Sequence, residues 1–292
     1  MPYPSLLHPE LLEPLELLEL LDLLYFSLSS STQSDRDIEY SVVIPFYNEE
    51  TNVIPVLAEL RGVLDRDQRT YEVILVNDGS SDGTLDQLKG FSSTWPPARI
   101  INLLQNAGQG AALFAGIKKA LGRKVILLDG DGQNDPGDIA EALRLLDRYD
   151  FVVGHRVHRH DDLKRRLMSQ FANSVRRFFT NDGVSDTGCG LKGFDREVID
   201  AFIPMQTLYS FMPALAKAAG FSIAEFPVNH RPRRSGVAKY NLRVFLWRPA
   251  VDLLGVCWFA RRRSRRVAVE EVAAAAAEGS GEVIAAGGKS NQ

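Results

Sequence analysis

Cysteine is nearly absent. Across 292 residues only Cys189 and Cys257 occur, far apart and in no metal-ligand spacing, which excludes a disulfide framework and a thiolate zinc centre. A reducing cytosol fits that usage. Histidine is almost as scarce, and His155, His158 and His160 of "HRVHRH" have no convergent carboxylate partners, so the stretch reads as a basic surface and not a metal site. Long apolar runs are missing too. The leucine-rich leader "LLHPELLEPLELLELLDLLYFSLSSS" starts acidic instead of cationic and is broken by acids every few residues, so it is neither a secretory signal nor a membrane span. It reads as an appended acidic helix with a serine-rich linker. Nor is there a Walker A loop, and "NAGQGAA" (106–112) lacks the full dinucleotide fingerprint.

What is present is a globular composition, 45% hydrophobic and 24% charged. The formal net charge of -3 conceals a strong asymmetry. Residues 1–39 carry Glu10, Glu13, Glu16, Glu19, Asp22, Asp35, Asp37 and Glu39 against Arg36 alone, whereas 231–266 are densely basic with Asp252 the one acid. Such an end suits phosphate groups or an anionic membrane surface, or else forms a solvated charged face.

From Tyr40 the pattern turns regular. The segments 40–46, 71–77, 98–104, 124–129 and 150–155 are short, apolar and β-branched, as buried strands are. Between them, 49–66, 82–90, 109–121 and 137–148 have helical spacing, the last opened by Asp135 as N-cap and Pro136 in the first turn. This alternation predicts an α/β fold: a Rossmann-like, mostly parallel sheet flanked by helices, with right-handed crossovers. The rhythm then breaks into a long basic helix (162–180), a strand at "GLKGF", a helix near 208–219 and a strand at 221–228, a half that completes the sheet and walls a cleft. Ligands of open α/β sheets sit beyond the carboxyl ends of the strands, so Tyr47, Asp78, Asp129, Asp131 and Arg156 are expected to converge there.

"LLDGDGQNDPGD" (127–138) concentrates acids behind a buried strand. Asp129 and Asp131, with Gln133 two residues on, supply hard oxygen ligands for Mg²⁺ or Mn²⁺. An EF-hand is excluded, because Asn134 stands where its glycine belongs and Ala140 where its glutamate belongs. A phosphatase-type aspartate nucleophile would leave the other strand-end residues without work. Asp135 and Asp138 read as helix-starting acids. Asp78, in "VNDGSSDGT", either accepts hydrogen bonds from a nucleobase or ribose or forms an Asx-type turn.

In order along the chain, "VVIPFYNEE", "VNDGSSDGT", "NAGQGAALFAG", "LLDGDGQNDP", "VVGHR", "SDTGCGLKGFDREV" and "VNHRPRRSGVAKY" resemble the inverting family 2 glycosyltransferases, in the branch of dolichyl- and polyprenyl-phosphate sugar synthases. The resemblance runs from residue 40 to near 260 and implies the GT-A fold of nucleotide-diphospho-sugar transferases. By position it implies that Pro45, Tyr47, Glu49 and Asp78 bind the nucleoside, and that Asp129, Asp131 and Gln133 hold Mg²⁺ or Mn²⁺ on the donor diphosphate. Arg156 and Arg165 match arginines facing the acceptor phosphate, and Arg231, Arg234 and Lys239 a basic loop over the donor phosphates; Asp131, Arg156 and Arg165 form the implied catalytic set. The partners so implied are a nucleotide sugar such as GDP-mannose or UDP-glucose, a polyprenyl phosphate and a membrane surface, with no role for nucleic acid. A lipid phosphate is already an anionic nucleophile, so catalysis reduces to aligning two repelling phosphates while cations screen them.

Two departures bear on specificity. Ala238 precedes Lys239-Tyr240 where the family usually has serine, and Tyr209-Ser210 precede "FMPAL" where many relatives have His-Arg. Many members continue into transmembrane helices. Here 244–266 is short, broken by Arg248, Pro249 and Asp252, closed by five arginines and flanked by Trp247 and Trp258, as an interfacial segment would be; a last core helix with a basic end is the plainer reading. The expected organisation is a leader and linker (1–39), a catalytic domain (40–242), a basic amphipathic membrane-interface segment (243–266) and a disordered tail (267–292). Such a protein would be peripheral on the cytoplasmic face of a membrane. The alternatives are a family 2 transferase acting on a glycan or soluble acceptor, and a non-catalytic nucleotide-sugar-binding protein.

Overall fold

The computed structural model describes residues 38–157, 174–232 and 242–263. The leader, Arg165 with most of the long basic helix, Arg234, Lys239 and the C-terminal tail lie outside the described residues.

Seven strands form one sheet: β1 (Tyr40–Phe46), β2 (Tyr71–Asp78), β3 (Ala98–Leu103), β4 (Lys124–Leu127), β5 (Phe151–Arg156), β6 (Lys192–Asp195) and β7 (Ile223–Val228), in the order β3-β2-β1-β4-β6-β5-β7. Because β1 and β2 are covered on both faces, successive residues enter different cores. Val43, Ile74 and Val76 pack under helix α3 (Gln109–Lys118), which itself abuts α5 (Leu208–Ala218), while Val42, Ile44, Val73 and Leu75 pack under α1 (Glu50–Leu64) and α2 (Thr84–Ser92). That two-sided burial explains why these strands read as continuous apolar runs.

The crossovers put β2 and β4 on opposite sides of β1, which opens a crevice at the carboxyl ends of β1 and β4. The register deepens it. β4 ends at Leu127, opposite Val43, while β1 runs on to Phe46, so the chain after Leu128 leaves the sheet beside it. β6 departs from the parallel pattern, being antiparallel to both β4 and β5. Phe151 and Phe194 stack across that pair at 5.6 Å, and Phe202 meets the Phe194 ring edge-on at 5.1 Å.

Asp135 caps as expected, accepting the Gly137 N–H at 2.9 Å with Pro136 at the first position, but the turn it opens is a 3₁₀ turn, Pro136–Asp138, before α4 (Ile139–Leu145). Asp138 makes no side-chain cap; its carboxylate accepts the N–H of Asn229. The last described helix, α6 (Leu242–Arg262), packs on α5, buries Leu253 and Val256, and is tied by Asp252 to Thr207.

Candidate active site

The loops after β1 and β2 are stitched together. Asn48, at φ 50, accepts the Ser81 N–H at 2.8 Å and donates its own N–H to Ser80 Oγ at 3.0 Å. The Glu49 N–H reaches Thr84 Oγ1, and Glu50 accepts from the Gly83 N–H. Pro45, Tyr47 and Glu49 line this rim, half-buried. Asp78 is buried, and its carboxylate accepts from the Ala107 N–H (2.8 Å), the Gly108 N–H (3.0 Å) and the Asn106 side chain (2.9 Å). The Asn106–Gly108 turn therefore hangs from Asp78. Burial raises the Asp78 pKa, and the two backbone amides pull it back.

The acidic run curls on itself beside β1. Asp129 donates its N–H to Asn134 Oδ1 and accepts from Gln109 Nε2 at 3.0 Å, while Asp131, 8% exposed, accepts the Gln133 N–H at 3.1 Å. Segment 229–231 is strapped alongside. The Arg231 N–H donates to Gln133 O, Gln133 Nε2 donates to Arg231 O, and Asn134 bridges His230. The Arg231 guanidinium is held by Glu59 and, at 2.7 Å, by Asp135, so in this structure it braces the run. Among the described residues no three His, Cys, Asp or Glu side chains gather into a metal cage. Two carboxylates and a carboxamide in one curled run fit a hard divalent cation that completes its shell with substrate oxygens. They do not fit a closed structural centre.

At the end of β5, Arg156 forms a two-bond fork with Asp186: Nε to Oδ2 and Nη2 to Oδ1, both 2.8 Å. Burial alone would lower the Arg156 pKa; the hydrogen bonds and charge of Asp186 more than reverse that, and the guanidinium stays charged. Asp186 is set from below, since Glu225 of β7 accepts the N–H groups of Ser185 and Asp186. Among the described residues no acceptor meets Arg156 Nη1.

Several contributors escaped the sequence reading. Asp186, Lys192 and Gln109 lie inside motifs that carry the resemblance but have no role assigned by it, and Glu59 reads as an ordinary helix residue. Lys192, fully buried, donates to the carbonyls of Thr187 (3.1 Å) and Cys189 (2.6 Å) and sits 3.3 Å from the centre of the Tyr209 ring. A lysine between Leu191 and the buried Phe194 was the visible signal. Tyr209, where the motif departs, donates its hydroxyl to the same Cys189 carbonyl.

Comparison with known proteins shows the family and the fold. The family model described as Glycosyl transferase family 2 matches residues 41–202. The chain is similar to the dodecaprenyl-phosphate galacturonate synthase of Rhizobium johnstonii, 37% identical over 237 residues that cover 79% of this chain and 70% of that protein. It is also similar to the undecaprenyl-phosphate 4-deoxy-4-formamido-L-arabinose transferase of Aeromonas hydrophila, 35% identical over 205 residues covering 69% of this chain and 63% of that one. Among solved structures, a mannosyltransferase from Pyrobaculum calidifontis in complex with GDP-Man and Mn²⁺ superposes with a TM-score of 0.57 at 21% identity, over 78% of this chain and 65% of that one. Glucosyl-3-phosphoglycerate synthase from Mycobacterium tuberculosis, solved with Mn²⁺, UDP-glucose and phosphoglyceric acid, gives 0.57 at 18% identity, over 75% and 80%.

Proposed function

Because the chain belongs to glycosyl transferase family 2 and is a glycosyltransferase of GT-A fold, we propose that it moves a sugar from a nucleotide sugar to a polyprenyl phosphate with inversion, using Mg²⁺ or Mn²⁺. The observation that carries this reading is the Arg156–Asp186 fork, a charged guanidinium fixed at the carboxyl end of β5, the same edge of the sheet at which Asp129 and Asp131 follow β4. Two relatives whose names specify polyprenyl-phosphate products support the choice of anion.

In this reading Pro45, Tyr47 and Glu49 receive the nucleoside on a rim that Asn48 and Asp78 keep assembled. Asp129, Asp131 and Gln133 would hold the cation. When bound, it would neutralise charge on the departing nucleotide diphosphate. Arg156 orients the acceptor phosphate, whose ionised oxygen attacks the anomeric carbon from the face opposite the diphosphate. The new C–O bond forms as the old one breaks, its electron pair leaving with the diphosphate. No general base is required, because the nucleophile carries no proton to remove at neutral pH. The roles of Arg165, Arg234 and Lys239 rest on the sequence resemblance, whereas Arg231 acts by bracing the acidic run.

The lipid acceptor places the enzyme at a membrane surface, and one face suits that. α6 exposes Val251, Leu254 and Trp258 beside exposed Arg261 and Arg262, with Arg262 5.4 Å over the Trp258 ring, and Phe178 and Phe179 are exposed near its end. Among the described residues no helix is long and apolar enough to cross a membrane.

The test is incubation of the purified protein with labelled nucleotide sugars, polyprenyl phosphate and Mg²⁺ or Mn²⁺, counting label in the organic phase. Transfer that collapses with Asp131→Asn is expected. No transfer from any donor, or full transfer by that variant, refutes the mechanism, and transfer only to a soluble hydroxyl acceptor replaces the lipid reading.

A further inference from the structure

Lys192 opens β6 between Leu127 of β4 and Val153 of β5, with no exposure to solvent. An ammonium there has forfeited its hydration, and among the described residues no carboxylate lies within ion-pair distance. Burial pulls its pKa down. The charges that pull it back up include Asp129, on the acidic run, and Asp186, the partner of Arg156. If the site needed only packing, a methionine would fill the same slot without the desolvation cost.

The ammonium fastens the backbone of 187–189, and that backbone is a shared wall. At Gly188 an added Cβ would meet Arg156 Nη2 at 2.8 Å, and at Gly190 it would collide with the side chains of Asp129 and Asn134. One short segment thus touches the guanidinium on its acceptor side and the acidic run on its donor side. Tyr209 reinforces the fastening, its ring under the ammonium and its hydroxyl on the Cys189 carbonyl.

We propose that Lys192 is a positioning residue that registers the acceptor half of the site against the donor half by holding the Thr187–Gly190 wall between them. The proposal rests on the transferase reading above, without depending on which acceptor is used. Misplacement of reacting groups by about 1 Å costs on the order of 100-fold in rate, while each substrate still finds its own half.

The experiment compares wild type, Lys192→Met, Tyr209→Phe and the double variant, with whichever acceptor the wild type uses. For Lys192→Met the expected result is a melting temperature equal to or above wild type, a kcat about 100-fold lower, and both KM values within about threefold. Tyr209→Phe should lose about tenfold in kcat, and the double variant should be no worse than Lys192→Met, because both act on the Cys189 carbonyl. Amide hydrogen exchange of the ligand-free protein should rise at 187–190 in Lys192→Met, a readout independent of any substrate. A kcat within threefold of wild type, or unchanged exchange in this segment, overturns the proposal. If Lys192→Met does not fold, an unchanged kcat in Tyr209→Phe overturns it instead. A wild type that transfers nothing sinks the transferase reading alone, and the exchange measurement still decides the role of Lys192.

Discussion

Replacing Asp186 by asparagine tests the acceptor side most directly. The two side chains of the fork are 12% and 5% exposed, so this is a buried ion pair and not a surface one. Asparagine keeps the shape and one acceptor oxygen. It turns an N–H₂ toward a guanidinium donor and leaves the charge of Arg156 uncompensated. Breaking one partner of a buried pair costs about 3–5 kcal/mol, and the retained acceptor and residual exposure bring the expectation to about 2–3 kcal/mol. For a domain of this size each kcal/mol lowers the melting temperature by about 2–4 °C, so a fall of roughly 4–12 °C is expected by calorimetry. Catalysis should change selectively. With the fork broken, Arg156 no longer presents a fixed end to the phosphate, and the KM for polyprenyl phosphate should rise by about 10–100-fold, the loss of one charge-assisted contact, while the KM for the nucleotide sugar stays within about threefold. Arg156→Met and the double variant complete a cycle whose coupling should be about 1–3 kcal/mol. Coupling below about 0.5 kcal/mol, or a shift in donor KM instead of acceptor KM, would falsify the assignment of this fork to the acceptor phosphate.

Two further expectations concern other faces of the molecule. Because Leu253 and Val256 of α6 are buried, deleting the helix would disturb the core, whereas Leu254→Glu with Trp258→Glu alters exposed positions only; that pair should abolish cosedimentation with anionic vesicles, and undiminished sedimentation would exclude this face as the docking surface. Asp195, at the end of β6, has its pKa raised to about 6 by burial, opposed by Lys124 and reinforced by Asp150, Glu197 and Asp147. The folded state thus binds this proton more tightly than the unfolded chain, so stability from the protonated form is present below the unfolded pKa and lost as pH rises through about 4 to 6. Asp195→Asn should therefore be more stable than wild type at pH 8, by about 1 kcal/mol after discounting for its half-exposed setting, with the gain vanishing near pH 4. A gain equal at both pH values would contradict the linkage.

The sequence carried the fold where burial is two-sided, since "YSVVIPF" and "YEVILVN" enter cores on both faces and show it as unbroken apolar runs. The antiparallel β6 was not legible in direction. Its four residues, Lys192–Asp195, include a glycine and a lysine, and nothing local says which way a short strand runs. At the site, residue types were legible and partners were not. Asp78 was marked by its place after β2, but its hydrogen bonds go to backbone 29 and 30 positions away, a choice made by the packing of α3 against the sheet. Arg231 stood out as a base in a basic loop, but nothing local announced that Glu59, 172 positions earlier, and Asp135 would hold its guanidinium. Local pattern specifies which faces are buried, while ion pairing is settled afterwards by which charges the folded chain brings within reach. For that reason Lys192 was detectable only as an anomaly. A charged residue with no exposure to solvent, set between the apolar strands β4 and β5, conflicts with the burial around it, and such a conflict persists where something other than packing requires it.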